Sequence, residues 1–351
     1  MKSFVANLIR SALVFALTAG TAMAAELQPA EWRDYAARLI SPEGRVIDTG
    51  NGGISHSEGQ GYGMILATAF DDREQFDHLW QWTQRELQVR RDALFGWKWE
   101  PGAGKVTDSN SASDGDILIA WALLRADQRW QALAYRTAAA RILASVRAKL
   151  IAPSPFGPML LPGPEGFRHG ATLVVNPSYW VFPAFADFAV ADPDPVWTQL
   201  MRSGIELLRG GRFGKWRLPT DWIELGARIQ PANGFPPDFG FNAMRIPLYV
   251  LWADLGADDP SLESDLLAPF RQFWTAAGSP GPIPATLNMV NGARSDYGLS
   301  AGGRAIAALT LNGEKAAGSL GTGAAPNEQN DYYSATLVLL SKVALNEWRS
   351  R

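Results

Sequence analysis

The sequence contains no cysteine and only three histidines among its 351 residues. Without cysteine the chain has no thiol nucleophile, no thiolate metal site and no disulfide, so its fold depends on the burial of apolar side chains. The histidines, His56, His78 and His169, are scattered, and no two stand at the short spacing of a metal-binding pair. The sequence therefore gives little support to a metal enzyme or to a Ser-His-Asp hydrolase.

Charge of either sign is also sparse. Charged residues make up 19% of the chain, and the formal net charge is −3. This balance offers no electrostatic attraction to nucleic acid or to anionic lipid, so neither is expected as a partner. Hydrophobic residues make up 47%, enough for a large core, and 14 tryptophans supply flat faces for packing or for ligands.

The first 24 residues have the features of a cleavable secretory signal. Lys2 and Arg10 give a positive start, Ser11–Ala19 is a short apolar run, and Ala22–Ala24 is a small-x-small cleavage site. The apolar run is too short to span a bilayer, and no later stretch reaches the required length. We expect the mature protein to begin near Ala25 and to be secreted or periplasmic.

Apolar residues recur at the i, i+3 and i+4 spacing of helices through most of the remaining chain. Strand alternation is scarce, and only Leu160-Leu161 and Thr172–Val175 suggest short hairpin strands. There is no fixed repeat period of a solenoid and no Pro/Ser/Gly linker. We therefore predict one all-α domain over residues 25–351, a closed helical toroid with long loops over one end. The predicted helices are Trp32–Leu39, Gly59–Phe70, Arg73–Leu87, Gly115–Ala126, Trp130–Leu150, Tyr179–Val190, Trp197–Leu208, Ala243–Leu255, Leu262–Ala277, Ala301–Leu311 and Tyr332–Trp348.

The most informative motif covers residues 55–64 and reads Ser-His-Ser-Glu-Gly-Gln-Gly-Tyr-Gly-Met. Three glycines in five residues follow Glu58 at the start of a predicted helix, and glycine allows another surface to approach the backbone closely. The structural alternative is that Ser57 caps the helix and Glu58 interacts favourably with its dipole.

Two further motifs precede the helix predicted from Gly115. Asp114 and Asp116 flank that glycine, so they could present carboxylates to a cleft, where sugar hydroxyls are bound by carboxylates. The alternative is that Ser113 or Asp114 only caps the helix. Upstream, Trp97 and Trp99 at i and i+2 of an extended segment would project to the same face and line a cleft wall or fill a patch of core.

Two short motifs complete the set. In Asn176–Trp180 (Asn-Pro-Ser-Tyr-Trp), Asn176 is a helix cap and Pro177 suits the first helical turn. In Phe239–Leu248 (Phe-Gly-Phe-Asn-Ala-Met-Arg-Ile-Pro-Leu), an interior proline would kink the predicted helix.

These five motifs, in this order and over about residues 32–348, resemble glycoside hydrolase family 8. The resemblance implies an (α/α)6 barrel and an endo-acting, inverting hydrolase of β-1,4-glucan. The chain is similar to the cellulase that accompanies bacterial cellulose synthase. The expected partners are therefore a polysaccharide and the cellulose-synthesis machinery. No cofactor or metal is expected, and the protein is expected to be a monomer. Chitosanase, xylanase and lichenase activities occur in the same family and remain open, as does a glycan-binding protein that has lost activity.

The resemblance also implies roles for single residues. Glu58 matches the general acid, and Asp114 matches an acidic residue that holds the distorted sugar at the cleavage point. A further set of motif residues is expected to contact the substrate: Trp99 in the stacking region, Tyr62, Asp116, Tyr179 near the catalytic water, and Arg245 beside the usual base.

The sequence departs from the family at Asn242, where many members have an aspartate as general base. An amide has no lone pair basic enough to take a proton at neutral pH. Inversion needs a carboxylate roughly 6.5–9.5 Å from the acid, with water between them. Several acids of this chain remain candidates for that role, and the sequence does not choose among them: Asp114, Asp238, Asp221, Glu224 and Asp296.

Overall fold

A computed structural model describes residues 27–278, 281–322, 324, 328 and 331–350. The predicted signal peptide, residues 1–24, lies outside these residues. They contain eleven α-helices, numbered here in chain order, which alternate between an inner and an outer ring. Among the described helices, none is both long enough and apolar enough to cross a membrane.

Six helices form the closed inner ring. Each packs on the next, and the last packs on the first. Their burial explains their composition: every residue of the fourth one, Ile246–Trp252, is buried, so apolar side chains run all the way round. The inner helices are α2 (Ser57–Ala69), α4 (Ser113–Trp130), α6 (Phe182–Ala191), α8 (Ile246–Trp252), α10 (Ala301–Asn312) and α11 (Tyr332–Arg349).

Five helices and one 3-10 turn form the outer ring. These are α1 (Pro29–Leu39), α3 (Arg73–Trp82), α5 (Leu133–Lys149), α7 (Val196–Gly210), α9 (Pro260–Ala277) and the 3-10 segment Gly313–Ser319. α3, α5, α7 and α9 each pack on the inner helix that precedes them, the 3-10 segment packs on α10, and α1 packs on α11. The alternation of inner and outer helices is an (α/α)6 barrel, which confirms the predicted fold class.

Short strands gather where the inner helices begin. They form a three-stranded antiparallel sheet, β1-β2-β3, a four-stranded one, β6-β7-β8-β9, the hairpin β4-β5, and a two-stranded antiparallel sheet of the distant segments β10 and β11. β1 leads directly into α2, and the segments after β3, β7 and β10 lead to α4, α6 and α8, so this end of the barrel carries the longest connections. The strands are β1 (Ser55–His56), β2 (Lys98–Glu100), β3 (Lys105–Asp108), β4 (Ile151–Ala152), β5 (Met159–Leu160), β6 (Arg168–His169), β7 (Thr172–Val175), β8 (Ile223–Leu225), β9 (Ile229–Pro231), β10 (Asp238–Phe239) and β11 (Leu287–Asn288).

Two predicted helices differ from the structure near proline. Asn176 caps a 3-10 turn, Pro177–Tyr179, and the helix proper begins only at Phe182. The helix predicted over 243–255 is a 3-10 turn followed by α8, and Pro247 stands in the first turn of α8. Proline there removes an N–H that has no helical partner, so it starts a helix and does not kink one.

Candidate active site

Glu58 stands in the first turn of α2, and its side chain is 17% exposed. The helix begins there because His56 caps it: the backbone N–H of Gly59 donates to His56 Nδ1 at 3.0 Å. Ser57, the cap expected from the sequence, has a buried hydroxyl with no hydrogen-bond partner among the described residues. Glu58 is therefore partly exposed in the first turn of a helix that His56 caps.

Arg245 links the residues around Glu58, and its side chain is only 2% exposed. Its Nη1 donates to Glu58 Oε1 and, at 3.0 Å, to the hydroxyl of Tyr62. Its Nη2 donates to Ser178 Oγ and to Asn242 Oδ1, both at 2.9 Å. The planar guanidinium thereby fixes side chains from three separate segments of the chain relative to one another.

Asp114 stands beside Glu58 because the first turns of α2 and α4 touch. Gly115 makes this contact possible, since a Cβ there would lie 2.6 Å from Ser57 Cβ and 2.8 Å from the backbone nitrogen of Glu58. Asp114 Oδ2 also lies 3.9 Å from Arg245 Nη2. Burial raises the pKa of Asp114 to about 7, and the hydrogen bond from the Gly115 backbone opposes this.

Asn242 and Asp221 lie together beyond the Nη2 side of the guanidinium. Asp221 Oδ1 accepts the backbone N–H groups of Gly240 at 3.1 Å and Ala243 at 2.7 Å. Burial raises the pKa of Asp221 to about 6, while these hydrogen bonds and one from the Asn242 side chain lower it. The Asn242 side chain thus accepts a hydrogen bond from Arg245 and donates one to the carboxyl group of Asp221.

A cavity of about 340 Å³ lies over the start of α2. Its lining combines carboxyl groups, a phenol, amides and an indole ring. Such a mixture suits a polyhydroxylated ligand, because carboxylates bind hydroxyls and aromatic faces pack on apolar C–H groups. The lining residues are Asp48, Asn51, His56, Ser57, Glu58, Trp97, Ala112, Asp114, Tyr179 and Asn242.

Comparison with known proteins identifies the family. The family model for glycosyl hydrolases family 8 matches residues 1–347. The chain belongs to glycosyl hydrolase family 8. It is 39% identical over 321 residues to a probable endoglucanase of Novacetimonas hansenii, covering 90% of both chains. It is 40% identical over 283 residues to an endoglucanase of Cellulomonas uda, covering 80% of this chain and 77% of that one.

Solved structures of family 8 enzymes superpose closely. An endoglucanase of Klebsiella pneumoniae matches with a TM-score of 0.82 and 40% identity, over 91% of this chain and 99% of that one. An endo-β-1,4-glucanase of Acetobacter xylinum matches with a TM-score of 0.83 and 37% identity, over 93% and 100%. Fold, length and sequence therefore agree on a glycoside hydrolase of this family.

In this family 8 hydrolase, most of the site residues predicted from the sequence lie in or next to the cavity. Glu58, Asp114, Tyr179 and Asn242 line the cavity, and Arg245 lies buried against Glu58. Tyr62 is fully buried, and its hydroxyl contacts Arg245 and, at 2.7 Å, the hydroxyl of Tyr249. Tyr62 thus holds the guanidinium through this hydrogen bond and does not line the cavity.

Asp116, expected to contact substrate, is fully buried away from the cavity. Its carboxyl accepts the backbone N–H of Phe95 at 3.0 Å and the hydroxyl of Ser111. Residues two apart on a helix point to different sides, so Asp114 and Asp116 cannot both face the cavity. Burial raises the pKa of Asp116 to about 7, against the hydrogen bond from Ser111. Asp116 anchors the loop before α4.

Trp99 does not line the cavity either, whereas Trp97 does. The ring of Trp99 packs edge-on against Trp82 at 5.6 Å, and the Arg45 guanidinium lies 4.9 Å from its centre. The pairing of β2 with β3 shifts register between Lys98 and Trp99. Such a bulge interrupts the alternation of faces, so the i, i+2 rule fails here.

The other candidate bases are engaged outside the cavity lining. Asp238 Oδ1 accepts a hydrogen bond from the side-chain amide of Asn288 at 2.7 Å within the two-stranded β10-β11 sheet. Glu224 accepts two side-chain amides, at 2.7 and 3.1 Å, on the four-stranded sheet. Asp296 lies in an exposed segment. Of the candidates, only Asp114 and Asp221 lie next to residues that line the cavity.

His56 and Asp48 are cavity residues that the sequence reasoning did not single out. His56 Nδ1 accepts the cap hydrogen bond, and its Nε2 lies 3.3 Å from Asp48 Oδ2. The sequence feature that could have pointed to His56 is its position directly before Ser57-Glu58-Gly59. In the described part of the chain, no three His, Asp or Glu side chains cluster as a metal site would require.

Proposed function

We propose that this family 8 hydrolase cleaves internal β-1,4 bonds of a glucan chain with inversion at the anomeric carbon. The observation that carries the proposal is that Glu58, Asp114 and Asn242 line one cavity. The endoglucanase names of its relatives at about 40% identity support a β-glucan substrate.

Glu58 is the proposed general acid. It donates its proton to the glycosidic oxygen while the bond from that oxygen to the anomeric carbon breaks. Arg245 Nη1 donates a hydrogen bond to Glu58 Oε1. Because Arg245 has three other hydrogen-bond partners, it stays in place when a protonated Glu58 turns to the sugar.

The remaining cavity residues are proposed to bind the sugar. Asp114 accepts hydroxyl hydrogen bonds at the cleavage point, since it lies beside Glu58 and is almost fully buried. Trp97 offers an indole face to the apolar side of a sugar ring. Tyr179 shares the lining with Asp114 and Asn242, and its hydroxyl is assigned to hold the attacking water.

A panel of soluble polysaccharides tests the substrate. Reducing ends should appear from a β-1,4-glucan faster than from xylan, chitosan or a mixed-linkage β-glucan, with the Glu58→Gln variant as the blank. Proton NMR of the first product should show the α-anomer. Faster turnover of one of the other polymers would reassign the substrate, and a β-anomer from the glucan would contradict the single displacement.

A glycan-binding protein without activity is the second candidate, because Asn242 replaces the usual base. In that case the wild-type protein would bind glucan but release no reducing ends. Restoring the carboxylate by Asn242→Asp would then create activity that the wild type lacks, which distinguishes the two candidates.

We also propose export of the mature protein from the cytoplasm. The support is the charged start, apolar run and Ala-Met-Ala site within residues 1–24. N-terminal sequencing of the secreted or periplasmic protein should begin near Ala25. Retention of the full-length chain in the cytoplasm would contradict the proposal.

A further inference from the structure

Arg245 connects the acid to the turn that carries Asn242. Its Nη1 contacts Glu58, and its Nη2 contacts Asn242 at 2.9 Å. Asp114 stands beside the acid, because the first turns of α2 and α4 touch through Gly115, and its Oδ2 lies 3.9 Å from Nη2. Inversion requires water to attack from the face opposite the acid, so the base belongs on the Asn242 side of the acid, where the family's usual base stands.

Asp221 is the acidic residue on that side. Its carboxyl accepts two backbone N–H groups of the turn that carries Asn242, and the Asn242 side chain adds a further hydrogen bond. Its charge also influences Tyr179, a cavity residue. Asp221 is partly exposed, so water can reach it.

Gly240 lies against the second oxygen of this carboxyl. A Cβ at Gly240 would lie 2.8 Å from Asp221 Oδ2, so the glycine leaves room for this second oxygen. Oδ1 accepts the two backbone N–H groups. A carboxylate oxygen has two lone pairs, so Oδ2 keeps one for a proton even when Asn242 donates to it.

We propose that Asp221 is the general base of this enzyme and that Asn242 orients it. This inference rests on the proposed inverting hydrolysis. A water oxygen forms the new bond to the anomeric carbon and passes one proton to Asp221 Oδ2. At the same time the glycosidic bond breaks, and its oxygen takes the proton of Glu58. Asp221 then returns its proton to solvent, and Glu58 regains one from solvent.

The test uses the full mature enzyme and four variants on a soluble β-1,4-glucan. Asp221→Asn should lower kcat by about 10²-fold or more, as loss of a general base does. Asn242→Asp alone should remain active. The double variant, Asp221→Asn with Asn242→Asp, should regain most of the lost rate, because a carboxylate again faces the water. Asp238→Asn changes a carboxyl engaged in the neighbouring β10-β11 sheet, so this variant should match the wild type.

A merely structural role for Asp221 gives different results. Asp221→Asn would then keep more than about a tenth of kcat, or the double variant would stay as slow as the single one. Either result overturns the assignment. Failure of the proposed function looks different, because then the wild type itself releases no reducing ends from any polymer of the panel.

Chemical rescue covers the case in which the asparagine variant unfolds the loop. Asp221→Ser keeps a hydroxyl acceptor for the two backbone donors and leaves space for an added anion. Azide carries no proton and needs no base, so it should attack the anomeric carbon directly. Formation of the α-glycosyl azide by this variant, and not by Glu58→Gln, supports the assignment. Absence of that product from Asp221→Ser overturns it.

Discussion

Replacing Gly115 by alanine should disturb the placement of Glu58 without touching a catalytic group. The new Cβ would overlap the Ser57 hydroxyl and lie 2.6 Å from Ser57 Cβ and 2.8 Å from the Glu58 nitrogen. Carbon atoms pack at about 3.5–4.0 Å, so relief requires the first turns of α2 and α4 to separate by about 1 Å. Neither obstacle is a flexible side-chain end that could swing aside.

The size of the effect follows from that displacement. Overpacking of this kind costs roughly 1–3 kcal/mol of unfolding free energy. A misplacement of about 1 Å at a reacting group costs about 10²-fold in rate. We therefore expect kcat to fall about 10²-fold while KM changes less, because Trp97 and Tyr179 come from other segments. Steady-state kinetics and urea unfolding of the same preparation measure both quantities.

Gly102→Ala is the matched control. Nothing lies within 4 Å of a Cβ at Gly102, and its φ is ordinary, so this variant should match the wild type in rate and stability. If Gly115→Ala lost stability but kept more than about half of kcat, the contact between α2 and α4 would not be what positions Glu58. If neither quantity changed, the close approach itself would be wrong.

Three further predictions concern charged groups. Glu58→Gln should reduce kcat by about 10²–10⁴-fold with an unchanged circular dichroism spectrum, and a variant that keeps more than about a tenth of the rate would exclude Glu58 as the acid. Arg245→Lys should lower kcat/KM by at least about 10²-fold, because an ammonium cannot bridge Glu58 and Asn242. Each hydrogen bond lost from a charged donor is worth roughly 1.5–3 kcal/mol. The control Arg209→Lys changes a surface ion pair with Asp265 and should have no measurable effect. Burial raises the pKa of Asp116 from 3.8 to about 7, so the folded state keeps a proton that the unfolded state has lost, and stability falls as pH rises from about 4 to 7. The contribution reaches about 4 kcal/mol at most, and Asp116→Asn should flatten that part of the curve in urea unfolding at a series of pH values; an unchanged slope would contradict the raised pKa.

The barrel could be predicted because helical periodicity is a strong signal over long segments. In α4, for example, Ile117, Ala120, Trp121 and Leu124 recur at helical spacing and are all buried. The short strands could not be predicted in the same way. A strand of two residues, such as β1, is too short to show an alternation of apolar and polar side chains. Their positions depend on contacts between distant segments.

The site residues divide along the same line. Glu58 and Asp114 stand in the first turns of α2 and α4. The regular geometry of a helix fixes where a side chain in its first turn points, so these two positions could be predicted from the sequence. The side chain of Trp99 depends on a bulge in the β2-β3 pairing, which no local pattern reports. Asp116 was a different case, because its spacing of two from Asp114 on a helix already argued against a shared face.

The charges around Arg245 give a physical reason for an amide at position 242. One buried guanidinium contacts Glu58 directly and lies 3.9 Å from Asp114, both of them acids. Burial raises the pKa of Asp114 to about 7 and that of Asp221 to about 6, so a further carboxylate beside them would raise these pKa values again. Asn242 accepts a hydrogen bond from Arg245 and, through a hydrogen bond of its own, lowers the pKa of Asp221. An amide therefore connects the cation to a carboxyl group and favours its ionised form, which is the form that a base must have.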